Sequence, residues 1–133
     1  MKHLFYLILL IFLASCSTTN ESPLGEYTLK VKEPIEFDSG LKLEITLVED
    51  SRCPLDAICV WAGEAVVTFN IEEGENQETL QLGKCGSTSP QCIAHTTDEL
   101  GYRFSLLDVT PFPELDVEVD ESELQIRINV IKL

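Results

Sequence analysis

Leu41-Lys42-Leu43-Glu44-Ile45-Thr46-Leu47 alternates apolar and polar residues without a break. A period of two turns every second side chain to one face, which is the pattern of a strand with one side buried. The pattern recurs downstream, where Ala65, Val67, Phe69 and Ile71 alternate with Val66, Thr68 and Asn70. Glu73-Gly74-Glu75-Asn76 then breaks the chain, and Leu80 and Leu82 suggest the return strand of a hairpin. Upstream, Asp38-Ser39-Gly40 is a turn signal that follows a short Ile35-Glu36-Phe37, and Tyr27, Leu29 and Val31 alternate before Pro34. Tyr102, Phe104 and Leu106 continue the series, and Leu124, Ile126, Ile128 and Val130 close it. No long window after residue 15 shows a 3.6-residue period; Pro54 to Ile58 has room for one helical turn, with Pro in its tolerated early position. About seven short strands separated by Gly and Pro turns predict an all-β fold, a small antiparallel sandwich or barrel.

The chain opens differently. Met1-Lys2-His3 is a short basic start, and Leu4 to Leu13 is an unbroken apolar run. Ten residues of helix span roughly 15 Å, half the hydrocarbon thickness of a bilayer, which suits a signal peptide over residues 1–15 and not a spanning helix. The run ends in Leu13-Ala14-Ser15-Cys16. Those four residues resemble the lipobox of bacterial lipoproteins. The resemblance implies that Cys16 takes a diacylglyceryl group on its thiol and becomes the new N-terminus. Two or more acyl chains, at about 0.8 kcal/mol per buried methylene, would hold the protein firmly on the membrane. Residues 16–24 then read as a polar, lipidated tether, and residues 25–133 as one β domain. Ser17 stands where enteric lipoproteins kept at the inner membrane carry Asp, which favours the outer membrane of the cell envelope.

Nine Lys+Arg face 23 Asp+Glu, and the net charge of −14 becomes −15 once Lys2 leaves with the leader. Such a surface repels phosphate backbones and anionic headgroups, which excludes nucleic-acid binding. Loss of His3 leaves His95 as the sole histidine, too few for most histidine-based metal sites. No glycine-rich phosphate loop or activated thiol occurs, and nothing calls for a cofactor. The reading is therefore of a protein that is not an enzyme.

With Cys16 set aside, Cys53, Cys59, Cys85 and Cys92 remain. Four cysteines in an exported chain form a disulfide framework with three possible connectivities. Nearest-neighbour pairing, Cys53–Cys59 and Cys85–Cys92, lets each bridge close its own loop between strands. The competing four-cysteine zinc site wants two to four residues between paired cysteines, and these gaps are longer.

Asp50 to Ala65 reads Asp-Ser-Arg-Cys-Pro-Leu-Asp-Ala-Ile-Cys-Val-Trp-Ala-Gly-Glu-Ala. This stretch resembles the signature of a family of small, uncharacterised bacterial lipoproteins and secreted proteins. That family carries Asp-x-Arg-Cys-Pro, a second cysteine after a short gap, and Trp-Ala-Gly leading into a strand. Tyr102 with Pro111-Phe112-Pro113, and the final strand, also look similar. The resemblance implies no activity. Cys85 and Cys92 lie outside its pattern, which favours two independent bridges.

Arg52 to Trp61 is the segment richest in chemistry, and it admits two readings. In the structural one, the bridge pins a tight connection, Trp61 packs over the sulfurs, and Arg52 pairs with Asp50. In the functional one, a disulfide-closed loop presents Pro54, Leu55 and Asp56, flanked by Arg52 and Trp61, to a partner at low entropic cost. The first suits a membrane-tethered binding or structural module whose partner is an envelope protein; the second also suits an inhibitor of an envelope hydrolase. Glu114, Asp116, Glu118 and Asp120 alternate with Leu115, Val117 and Val119, as on a solvated edge strand. Their spacing fits no EF-hand, so no metal is expected there. His95 is expected to be a solvated loop residue.

Overall fold

Nearly every apolar row marked by the alternation is buried, because the rows belong to two sheets that face one another. The computed structural model describes residues 24–85 and 92–133. The leader, Cys16 and the tether as far as residue 23 lie outside the described residues. Leu24, assigned above to the tether, instead packs against the core.

Eight strands follow in order: β1 (Gly25–Leu29), β2 (Ile35–Glu36), β3 (Leu41–Asp50), β4 (Glu64–Glu73), β5 (Asn76–Cys85), β6 (Thr96–Glu99), β7 (Tyr102–Thr110) and β8 (Gln125–Lys132). One four-stranded sheet has the order β1-β8-β7-β6 and the other β2-β3-β4-β5. All strand pairs within the sheets are antiparallel. The two sheets form a sandwich, not a closed barrel. Between them, Leu41, Leu43, Ile45, Val67, Phe69, Ile71 and Leu82 from one sheet meet Tyr102, Phe104, Leu106, Ile126, Ile128 and Val130 from the other. Tyr102, though fully buried, keeps its hydroxyl satisfied by donating to Glu73 Oε1 across the sandwich at 2.7 Å.

The alternation misplaces Leu47, and Val66, read into the outward row of β4, is buried as well. The register of β3 against β4 shifts between Ile45 and Leu47, so Thr46 is an extra residue. This bulge reverses the strand's phase: Leu47, expected inside, is exposed, and Val48 turns towards the core instead. A second bulge lies between Leu106 and Asp108, and there Val109 takes over the inward row.

Two more segments differ from expectation. β6 (Thr-Thr-Asp-Glu) has no apolar residue to announce it, and is held at the edge by pairing with β7. Glu114 to Asp120 is not a strand but an irregular connection, with Asp116 in the left-handed region at φ 60°. Pro111 and Pro113 lack the N–H groups a strand would pair, and the connection runs exposed over the sandwich end. Only Glu121–Glu123 is regular there, a 3₁₀ turn capped by Asp120.

Candidate functional site

The registers sort the connections into two poles. Gly25 lies level with Val130, and Val130 with Phe104, while Leu29 is level with Ile126 and Val109. β1 thus begins near the start of β7 and runs parallel to it. At the starting pole lie Leu24, Leu133, and the tight turns at Gly40, Gly74 and Gly101. The other pole holds the long connections: residues 30–34, 51–63 and 111–124. Both disulfides are on this side too, because Cys85 pairs in register with Glu64 at the start of β4. Four residues of β1 or β8 separate the two levels, roughly 13 Å at the rise of a strand.

Within the distal pole, the 51–63 loop is built around Arg52, which is only 4% exposed. Its Nε donates to Asp50 Oδ1 at 2.8 Å and its Nη2 to Asp50 Oδ2, a two-pronged ion pair. Nη1 donates to the Val109 carbonyl at 2.8 Å, and Nη2 also to that of Pro111 at 3.3 Å. The guanidinium lies 4.3 Å from the centre of the Phe112 ring. A planar fork of donors suits this arrangement, and a lysine could not reproduce it. One buried side chain therefore ties the loop to the end of β7 and to the start of the 111–124 connection. The pairing with Asp50 was legible in the sequence; the contacts with Val109, Pro111 and Phe112, separated by more than fifty residues, were not.

Further bonds complete the brace. The Leu55 N–H donates to the Pro113 carbonyl at 3.0 Å, and Asp56 Oδ1 accepts from the Leu115 N–H at 2.8 Å. Ala57 N–H donates to Pro54 O at 3.1 Å, closing a single turn where one helical turn had room. Cys53 bonds Cys59, with Cα atoms 5.9 Å apart. Gly63 ends the loop at φ 68°, and a Cβ there would come within 1.9 Å of the Ser51 carbonyl oxygen, so only glycine fits.

The brace leaves apolar side chains outside. Leu55 is 67% exposed, while Ile58 and Val60 are as open to solvent as in an extended chain. Trp61, expected over the sulfurs, is 46% exposed and lies outside the buried core. Of the residues expected at the binding surface, Leu55 and Trp61 project, Pro54 is half-buried, Asp56 is committed to Leu115, and Arg52 faces inward. For Ile58 and Val60 the available signal was their place on either side of Cys59, at the end of a stapled loop. Leu115 and Val117 in the neighbouring connection are also about half exposed.

The surroundings are acidic. The 111–124 connection carries six carboxylates and no basic residue. Lys32, at φ 64°, pairs with Glu121 at 2.8 Å, and that hydrogen bond raises its pKa. Hydrogen bonds from Ser122 hold Asp120 below the usual carboxylate range. Away from this pole, Arg103 pairs with Asp98 through two bonds of 2.7 and 2.8 Å and lowers the Asp98 pKa.

The second bridge, Cys85–Cys92, spans the crossover between β5 and β6. Gly83 lets the returning chain cross β5, since a Cβ there would lie 2.6 Å from the Ile93 carbonyl oxygen. Glu64 Oε2 accepts from the Ile93 N–H at 2.9 Å. Among the described residues, Glu64, Cys85 and Cys92 are the one cluster whose ligand atoms could converge on a metal, but both sulfurs are committed to each other. His95 is exposed, as expected. Among the described residues, no helix is long and apolar enough to cross a membrane.

The class defined by these features is a disulfide-stapled antiparallel β-sandwich with its long connections gathered at one pole. Comparison with protein families, with curated proteins and with solved structures finds no match.

Proposed function

We propose that this is a non-catalytic lipoprotein of the bacterial cell envelope, anchored through Cys16 and binding an envelope component with the pole farthest from its tether. One observation carries the reading: a loop braced by a disulfide, a buried arginine and a glycine holds Ile58 and Val60 fully in water. The braces stabilise the fold, but they do so while keeping aliphatic side chains out of its core; that combination suits a recognition surface, because preorganised groups lose less entropy on binding. The tether supports the same reading. Leu24 lies at the opposite pole, so a lipid on Cys16 would leave the apolar loop facing away from the membrane. The outer membrane is the favoured location.

The anchor has a direct test. Cells fed labelled palmitate should label the full chain, and Cys16→Ala should leave an unlipidated precursor without label. Label that persists in Cys16→Ala would refute the anchor.

A further inference from the structure

We infer that the distal pole docks into a protein partner bearing an apolar groove rimmed by lysine and arginine. This rests on the tethered reading above and deepens it. Leu55, Ile58, Val60, Trp61, Leu115 and Val117 supply the apolar centre, and Trp61 is the one residue among them of a type enriched at binding hot spots. Hydrogen bonds from Leu55 to Pro113 and from Leu115 to Asp56 hold the loop and the 111–124 connection side by side. The apolar centre therefore lies against a connection that carries the exposed carboxylates Glu114, Asp116, Glu118 and Asp120. None of these four forms an ion pair among the described residues, and only Asp120 is otherwise engaged, as the cap of the 3₁₀ turn near Lys32.

Charge selects between occupants. A second copy would bring the same acidic connection to the interface from both sides, on a chain whose net charge is already −14. Like charges juxtaposed across an interface oppose docking. A membrane is disfavoured because this acidic pole repels anionic headgroups and lies opposite the point where the tether joins. A groove with a cationic rim satisfies both halves of the surface: aliphatic and indole groups enter it, and the carboxylates meet its rim.

A benzophenone amino acid placed at Val60, at Val117, and at the control position Glu78 on β5 tests this in intact cells with the full chain. We expect protein adducts from the first two positions and none from Glu78. The captured protein, purified, should shift the emission of Trp61, the sole tryptophan, to the blue. Its affinity should fall about tenfold between low and moderately high salt, since rim charges act through screened attraction. Asp116→Asn with Glu118→Gln should weaken binding several-fold at low salt; asparagine tolerates the left-handed backbone at position 116.

Four results would overturn the inference: no adduct from either distal position, adducts only with lipid, adducts only with a second copy, or a captured protein whose affinity ignores salt. Palmitate label is scored on the same samples. A chain that captures its partner without label fails the tether and keeps the groove; a labelled chain that captures nothing fails the groove and keeps the tether.

Discussion

Arg52 shows how much one side chain can organise when its charge is buried. Its guanidinium makes four hydrogen bonds, two to Asp50 and two to carbonyls more than fifty residues away, that of Val109 at the end of β7 and that of Pro111 at the start of the connection. Removing it would strand the Asp50 carboxylate and leave the Val109 and Pro111 carbonyls short of a donor. Breaking a fully buried pair from one side costs about 3–5 kcal/mol; Asp50 keeps some access to water, so the lower end applies here. Arg52→Ala should therefore lower stability by about that much in urea unfolding. Arg52→Lys is the sharper test. It keeps the charge but cannot span both carboxylate oxygens and two carbonyls, so a loss of about 2 kcal/mol is expected. A neutral Arg52→Lys would mean that charge, not the fork, braces the loop.

At the scale of elements, period-two reading located the buried rows of β4, β5 and β8 residue by residue. It failed where the backbone departs from a regular pleat. Nothing in Leu41 to Leu47 says that Thr46 is supernumerary, because a bulge preserves the apparent alternation while inverting the face that follows. β6 was illegible for the opposite reason: it is placed by hydrogen bonds to β7 and by the crossover bridge, not by hydrophobicity. The acidic segment mimicked a strand because alternation does not distinguish a half-buried face from an exposed connection. The stapled loop was half legible, since cysteine spacing marked its closure but not its braces.

Those braces change what its bridge should contribute. Closing so short a loop is worth about 2 kcal/mol in the chain-entropy model, and Arg52 with the Leu55 and Asp56 bonds would hold the remainder. Cys53→Ser with Cys59→Ser should thus cost about 2 kcal/mol and lower the melting temperature by roughly 10 °C, without loss of cooperativity. A drop several times larger in calorimetry would show that the bridge, and not the arginine, carries the connection.

Across the whole molecule, the two poles divide the work. Short glycine turns and both ends of the described domain gather at one, while the long connections, both bridges and most exposed apolar side chains gather at the other. The charge is not divided so evenly: 23 acidic residues face nine basic ones over the chain. Three ion pairs occur among the described residues, and two of them, Lys32–Glu121 and Asp98–Arg103, are well exposed. Exposed pairs contribute little, and salt weakens what they contribute. Self-repulsion of a strongly acidic compact shell opposes folding, and salt weakens that as well. The two effects have opposite signs, and the count decides between them. Two weak attractions stand against a large excess of like charge packed within a few Debye lengths. The buried Arg52–Asp50 pair is screened least and barely enters the balance. Adding sodium chloride up to about the physiological level, where the screening length is about 8 Å, should therefore raise the melting temperature. Arg103→Gln should leave that rise intact or enlarge it, since it removes one attraction and adds one net negative charge. A melting temperature that falls with salt would mean that local pairs outweigh the acidic shell. The long-range field invoked to steer a cationic partner to the distal pole would then be too weak for that role.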